Sequence, residues 1–256
     1  MSKVRIRAID GSDDVALPPV AGVSLSPGVR TRPVFDNFGM PLVLYRHDLR
    51  AGDALALARP AAGHLIFVWS GSLAVKGSVV GAGSVVSVAH HAAATLEARE
   101  DDTSLLHFFS VEASSEEKDG KGGCVHIIPA ETVQRRFDPE RDLAHSIYLD
   151  SSCEHCRLWL HRTTADTSGY YVPPHYHSED EIIVITDGQM QVGARFLGVG
   201  GAIAIAERAA YSFRAGPEGL SFINFRNADP YYALAGAGDQ GFFSERALLQ
   251  SLAVTA

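Results

Sequence analysis

The sequence predicts an all-β protein built from two copies of one β-domain. Three observations carry that reading. Short β-rich runs recur along the 256 residues, many separated by glycine turns. Helical periodicity is scarce. One offset of 117 residues also superposes the second half on the first, placing Gly52 on Gly169, Gly71 on Gly188 and Gly83 on Gly200. Duplication explains aligned turn glycines and strand runs more simply than coincidence.

The strand expectations, in chain order, are Pro41–Tyr45, His64–Trp69, Ser84–Val88 and Leu105–Val111 in the first half. Arg157–Thr164, Glu181–Thr186, Ala202–Ala206 and Ser221–Arg226 follow in the second. Each is a short run rich in β-branched, aromatic or other apolar residues. After Gly83 and Gly200 come SVVSVAHHAAATLEA and GAIAIAERAAYSFRA, strand-like runs of equal spacing. Many short strands at turn-limited spacing predict a sandwich or barrel. The tail SERALLQSL, Ser244–Leu252, holds the best helical pattern and predicts one short C-terminal helix. The polar stretch VEASSEEKDGKGG, Val111–Gly123, reads as a linker. The expected domains are 1–115, a linker at 116–124, and 125–256.

Hydrophobic residues make up 46% of the chain and charged ones 20%, enough for a substantial core. The net charge of −8 and the lack of a basic run argue against nucleic acid as a partner. The apolar stretch Val79–Leu96 is broken by glycines, serines and two histidines, so no membrane span is expected. The start, MSKVRIRAIDGSDD, is charged where a signal peptide is apolar. With three cysteines, an odd number, this predicts a cytoplasmic protein rather than a disulfide framework.

The stretch GYYVPPHYHSEDEIIVITDG, residues 169–188, carries the chemistry. Residues i and i+2 of a strand face one side, so His175 and His177 can present their imidazoles together. Ser178-Glu179-Asp180 reads as a turn, and a hairpin would return Glu181 beside the pair. Two neutral imidazoles and a carboxylate suit a divalent first-row metal such as Fe, Mn, Ni, Co, Cu or Zn. A lone H-x-H is weak evidence, because a histidine-rich sheet edge is the ordinary alternative. The full spacing, G-x5-H-x-H-x3-E-x6-G, is far more restrictive. Pro173-Pro174 cannot donate ladder hydrogen bonds and predicts an edge or bend just before the histidines.

Gly169, His175, His177, Glu181 and Gly188 match the first signature motif of the cupin superfamily at every fixed position. With the repeat, nearly the whole chain resembles a bicupin, two tandem jelly-roll barrels. The resemblance implies metal ligation by His175, His177 and Glu181, with a third histidine from a second motif. That second motif departs from the family's pattern, and its histidine place falls on Tyr211. Tyr211 is left as a phenolate ligand, a hydrogen-bond donor to substrate, or a packing residue. In the first half the ligand places fall on Ala58, Pro60, His64 and Ala94, so that copy is expected to be a metal-free partner barrel. His90, His91 and His107 are candidates to pair with His64.

Weaker features remain. Cys153 and Cys156 form C-E-H-C, which is half of a zinc site or a redox pair. No second C-x-x-C exists, and the plainer reading is a pair of turn cysteines. Trp159 and His161 share one face of a strand, and His161 is an acid–base candidate if that face lines the pocket. Asn224 and Arg226 raise the same question. Tyr170, Tyr171 and Phe213 are expected in the barrel wall or mouth, and Ile183 and Phe213 to keep the pocket dry.

The leading expectation is a metal-dependent enzyme acting on a small organic molecule, dioxygenase-like, with Fe, Mn, Ni or Zn at the site. Tyr211 would be its catalytic residue, orienting substrate or metal-bound water. A redox-neutral isomerase, lyase or hydrolase is the alternative enzyme. A non-catalytic binding protein is the third reading. A homodimer is expected by resemblance to many cupins.

Overall fold

The computed structural model describes residues 3–15, 20–36, 39–112, 121–236 and 241–255. Part of the expected linker, 116–120, lies outside the described residues. The protein is all-β, with one short α-helix among the described residues, Glu245–Ser251. Ser244 caps that helix by accepting a hydrogen bond from the Ala247 amide at 3.2 Å. No described helix is long and apolar enough to cross a membrane.

The chain divides into two compact units, which are not consecutive blocks. One holds Asp10–Val133 and Ser152–Arg157, and the other Met1–Ile9, Gln134–Ser151 and Leu158–Ala256. Strand Val4–Ala8 therefore packs with the second half, antiparallel to Gly201–Ile205. Strand Val125–Ile128 packs with the first half, antiparallel to Val85–Val88.

In the first unit, a six-stranded sheet runs Val125–Ile128, Val85–Val88, His64–Ser70, Thr103–Ser110, Leu42–Leu49, Arg30–Phe35. A five-stranded sheet runs Val23–Leu25, Ala54–Ala58, Ala93–Ala98, Ser72–Val75, Ser78–Gly81. Both supply the core that joins Leu55, Leu57 and Leu96 to Ile66, Val86 and Leu105. Ala93–Ala98 alternates exposed and buried residues, the period-2 signature of a strand with one wet face.

The second unit repeats this plan at the same offset. Ala54–Ala58 corresponds to Tyr171–His177, His64–Ser70 to the start of Glu181–Val192, and Val85–Val88 to Gly201–Ile205. Pairing registers repeat too: His64 opposes Val88, and Glu181 opposes Ile205. The long strand Tyr211–Arg226 closes the unit. Its first part pairs with Tyr171–His177 and its second part with Trp159–Ala165.

Gly71 and Gly188 show why the repeat keeps glycine. Both have positive φ, +73° and +65°, and a Cβ at Gly188 would lie 2.3 Å from the Gly219 carbonyl oxygen. Only glycine fits both the backbone and the close approach.

The expected hairpin between the histidines and Glu181 does not form. Tyr171–His177 pairs with Tyr211–Arg226 and Tyr231–Leu234, while Glu181–Val192 pairs with Gly201–Ile205 and Tyr211–Arg226. The shared partner strand, rather than a tight turn, brings the two segments together across the barrel.

Candidate metal centre

His175 and His177 alternate with half-buried Tyr176 on their strand, and both are buried. Glu181 is fully buried at the start of the next strand. His177 Nε2 stands 3.8 Å from Glu181 Oε1. The Nδ1 of His175 lies 2.8 Å from the Pro173 carbonyl. A carbonyl only accepts, so Nδ1 carries the proton and the lone pair of His175 sits on Nε2, the form a metal ligand needs.

Tyr211 is the register partner of His175, with ring centroids 4.3 Å apart. Its hydroxyl is 3.4 Å from His177 Nε2. Burial and the Glu181 charge push the phenol well above its ordinary pKa. With no metal ion beside it, Tyr211 is therefore a neutral phenol that can donate a hydrogen bond.

The barrel interior holds groups whose spacing carried no motif. Arg226 is fully buried. Its Nη2 donates to Glu181 Oε2 at 2.7 Å, and its Nη1 to Glu245 Oε2 at 2.6 Å. Asn224 also donates to Glu181 Oε2, at 2.7 Å. Glu245 comes from the first turn of the C-terminal helix. His161 Nε2 lies 3.7 Å from Glu245 Oε1. Trp159 donates its indole N–H to His161 Nδ1 at 2.7 Å, so the His161 proton sits on Nε2, facing Glu245. Trp159, His161, Asn224 and Arg226 thus belong to one buried polar network. Tyr171 is exposed, Tyr170 is half-buried against the core, and Phe213 and Ile183 lie within it.

The charges of this network decide what it can hold. Burial lowers His177 to about 4, and Arg226 adds to the effect. Burial likewise lowers His161 to about 3. Both are neutral near pH 7. Burial pushes the Glu181 carboxyl up, but His177 and Arg226 outweigh it and bring the pKa to about 2. Burial also pushes Glu245 up, and Arg226 more than reverses that, leaving it well below the carboxylate range. Arg226 remains a cation: burial opposes its charge, and Glu245 and Glu181 restore it. Two carboxylates, the fully buried Glu181 and the partly exposed Glu245, share one guanidinium, which leaves a net negative charge in the network. Glu181 Oε1 has no hydrogen-bond partner among the described residues. A buried, uncompensated charge with an orphaned oxygen is costly unless a further cation joins it.

The donor set therefore fits a divalent metal: a free carboxylate oxygen, two neutral imidazoles and a negative surplus. The ligand atoms are not drawn in to coordination distance. Among the described residues, one group of three such atoms lies mutually within 4.8 Å, and it is His126, Cys153 and Cys156 instead.

The first barrel has a different interior. His64 Nδ1 is 2.7 Å from His107 Nε2, His107 Nδ1 is 3.1 Å from His47 Nε2, and His47 Nδ1 is 2.9 Å from Thr31 Oγ1. His107 is thus the partner of His64, and His47 extends the chain. Burial holds His47 and His64 at about 4. At the repeat offset, Glu181 replaces His64, Asn224 replaces His107 and Arg226 replaces Phe109. One barrel carries an uncharged imidazole chain where the other carries an ionic network.

No protein-family model matches the chain, and no curated protein sequence does. Solved structures do match by fold. A candidate dioxygenase from Nostoc punctiforme aligns over 94% of this chain and 86% of its own, with TM-score 0.67 and 7% identity. The oxalate decarboxylase of Lactobacillus farciminis aligns over 87% and 90%, with TM-score 0.64 and 14% identity. A cupin 2 conserved barrel domain protein from Leptotrichia buccalis aligns over 82% and 97%, with TM-score 0.54 and 12% identity. The chain has the cupin fold, in the tandem form expected of a bicupin.

Proposed function

We propose that the second barrel is the active site of a metal-dependent enzyme acting on a small organic molecule, with a dioxygenase-type reaction as its chemistry. The observation that carries this reading is Glu181 Oε1, a buried, unpartnered carboxylate oxygen 3.8 Å from a neutral His177, in a network with a net negative charge. His175, His177 and Glu181 would hold the metal. A metal on two histidines and one carboxylate keeps open positions, which suits oxygen chemistry on a chelating substrate.

The chain's own residues support that role. Tyr211, a neutral phenol beside His177, donates a hydrogen bond to a substrate oxygen. Arg226 and Asn224 hold Glu181 Oε2 and leave Oε1 facing His177. Ile183, Phe213 and Phe222 form the apolar wall of the same core, which excludes water from the reacting groups. The fold likeness to a candidate dioxygenase is consistent with this chemistry and selects no substrate.

Metal analysis of anaerobically purified protein, paired with oxygen uptake over enols, diketones and phenols, tests the reading. His175→Ala should lose about one metal equivalent relative to wild type and lose turnover. Equal metal content in the two proteins would sink the site. Turnover without oxygen uptake would move the reaction to the redox-neutral class. Tight binding with no turnover on any metal would make the barrel a binding module.

A further inference from the structure

We propose that His126, Cys153 and Cys156 form a second metal site, which takes zinc or a similarly thiophilic divalent ion and ties the 152–157 loop to strand Val125–Ile128. This site is independent of the one in the second barrel.

The three ligand atoms lie mutually within 4.8 Å, and His126 Nε2 is 3.2 Å from Cys153 Sγ. Tetrahedral zinc places its ligands at about 2.3 Å for sulfur and about 2.0 Å for nitrogen, so neighbouring ligand atoms stand about 3.5 Å apart. His126 and Cys153 are therefore already at coordination spacing, and Cys156 Sγ lies within 4.8 Å of both. None of the three cysteines forms a disulfide. Two soft sulfurs and an imidazole select zinc over magnesium or calcium.

The backbone around the group is built to hold it. The turn closes with the Arg157 amide donating to the Cys153 carbonyl at 3.3 Å. The His155 amide donates to Cys153 Sγ at 3.4 Å and helps to fix the position of that sulfur. On the other side, the Lys121 and Gly122 amides donate to the Glu154 and His155 carbonyls at 2.7 and 3.1 Å. The His155 ring lies 2.9 Å from the Gly122 carbonyl, and Lys121 pairs with Glu154 at 2.6 Å. The loop is thus docked beside His126 by contacts that do not involve the metal.

Cys156 is buried, whereas His126 and Cys153 are half-buried. Binding releases one proton from each thiol to solvent and needs no oxidant or reductant.

The test uses full-length protein, stripped of metal and reloaded with cobalt(II). Wild type and His175→Ala should both show thiolate-to-cobalt charge transfer, and Cys153→Ser, with Cys156 as its one remaining thiolate, should show a clearly weaker band. Zinc affinity in Cys153→Ser should fall about tenfold or more. Circular dichroism checks that this half-buried substitution leaves the fold intact. Should Cys153→Ser misfold, chelation of the wild type still decides: hydrogen exchange in 152–157 should accelerate when zinc is removed. Cobalt-loaded wild type without the sulfur band would overturn the proposal, as would unchanged zinc affinity in folded Cys153→Ser. A Cys153–Cys156 disulfide in protein purified under reducing conditions would assign the pair to redox chemistry and also overturn it. Loss of metal in His175→Ala alone leaves this site standing, so the two sites fail separately.

Discussion

Arg226 donates to one oxygen of Glu181 at 2.7 Å, while the other oxygen of that buried carboxylate has no partner among the described residues. The guanidinium holds half of the carboxylate and leaves the other half free. Replacing Arg226 by Met removes the cation shared by Glu181 and Glu245. Breaking a buried pair in this way costs about 3–5 kcal/mol. Urea unfolding of Arg226→Met should show a loss of that order. An unchanged midpoint would mean that the network is not ionised as described.

Tyr211→Phe keeps the ring that packs against His175 and removes only the hydroxyl. As the phenol is neutral in the folded barrel, metal content should stay at the wild-type level while turnover drops. Mutational costs for one lost hydrogen bond to a reacting group run to about 10²-fold. Complete loss of metal would instead make the oxygen a ligand.

Acid should weaken the fold in two stages. His47, His64 and His177 have folded pKa values of about 4 against an ordinary 6.5. Below pH 6.5 the unfolded chain takes up protons that the native barrels refuse, so stability falls as pH drops from 6.5 towards 4. Glu181 is depressed from 4.5 to about 2, so its contribution is present above 4.5 and is lost as pH falls through 2. Urea midpoints measured from pH 7 to pH 4 should decline steadily. A flat profile across that range would contradict the buried neutral histidines.

Two repeat-related glycines should respond differently to alanine. At Gly169 a Cβ meets nothing within 4 Å, so the cost is the positive φ alone, about 1–2 kcal/mol. At Gly188 the Cβ would overlap the Gly219 carbonyl oxygen at 2.3 Å, adding a backbone clash of about 1–3 kcal/mol. Thermal melts of Gly169→Ala and Gly188→Ala should rank in that order. Equal losses would remove the close approach as a cause.

The duplicated plan was legible in sequence because the strand alternation and turn glycines are local signals. His175, His177 and Glu181 share one local spacing, which singled them out in the sequence, and the structure puts His177 beside Glu181 without the expected hairpin. Arg226 and Glu245 escaped notice as a pair. They are 19 residues apart, on a strand end and a helix start, and only the closed barrel brings them together. His126 escaped for the same reason, since it lies 27 residues from Cys153. Long-range polar partners leave no period in the chain.

The three imidazoles in the first barrel have a consequence of their own. Each neutral ring donates from one nitrogen and accepts at the other. His107 sits between His47 and His64, so its tautomer dictates theirs. The chain therefore has two internally consistent states, with all N–H bonds pointing towards Thr31 or all pointing towards His64. Passing from one to the other reverses a row of dipoles inside the barrel while the net charge stays at zero. Polarity there is a collective property of three side chains, and substituting His107 would uncouple the other two.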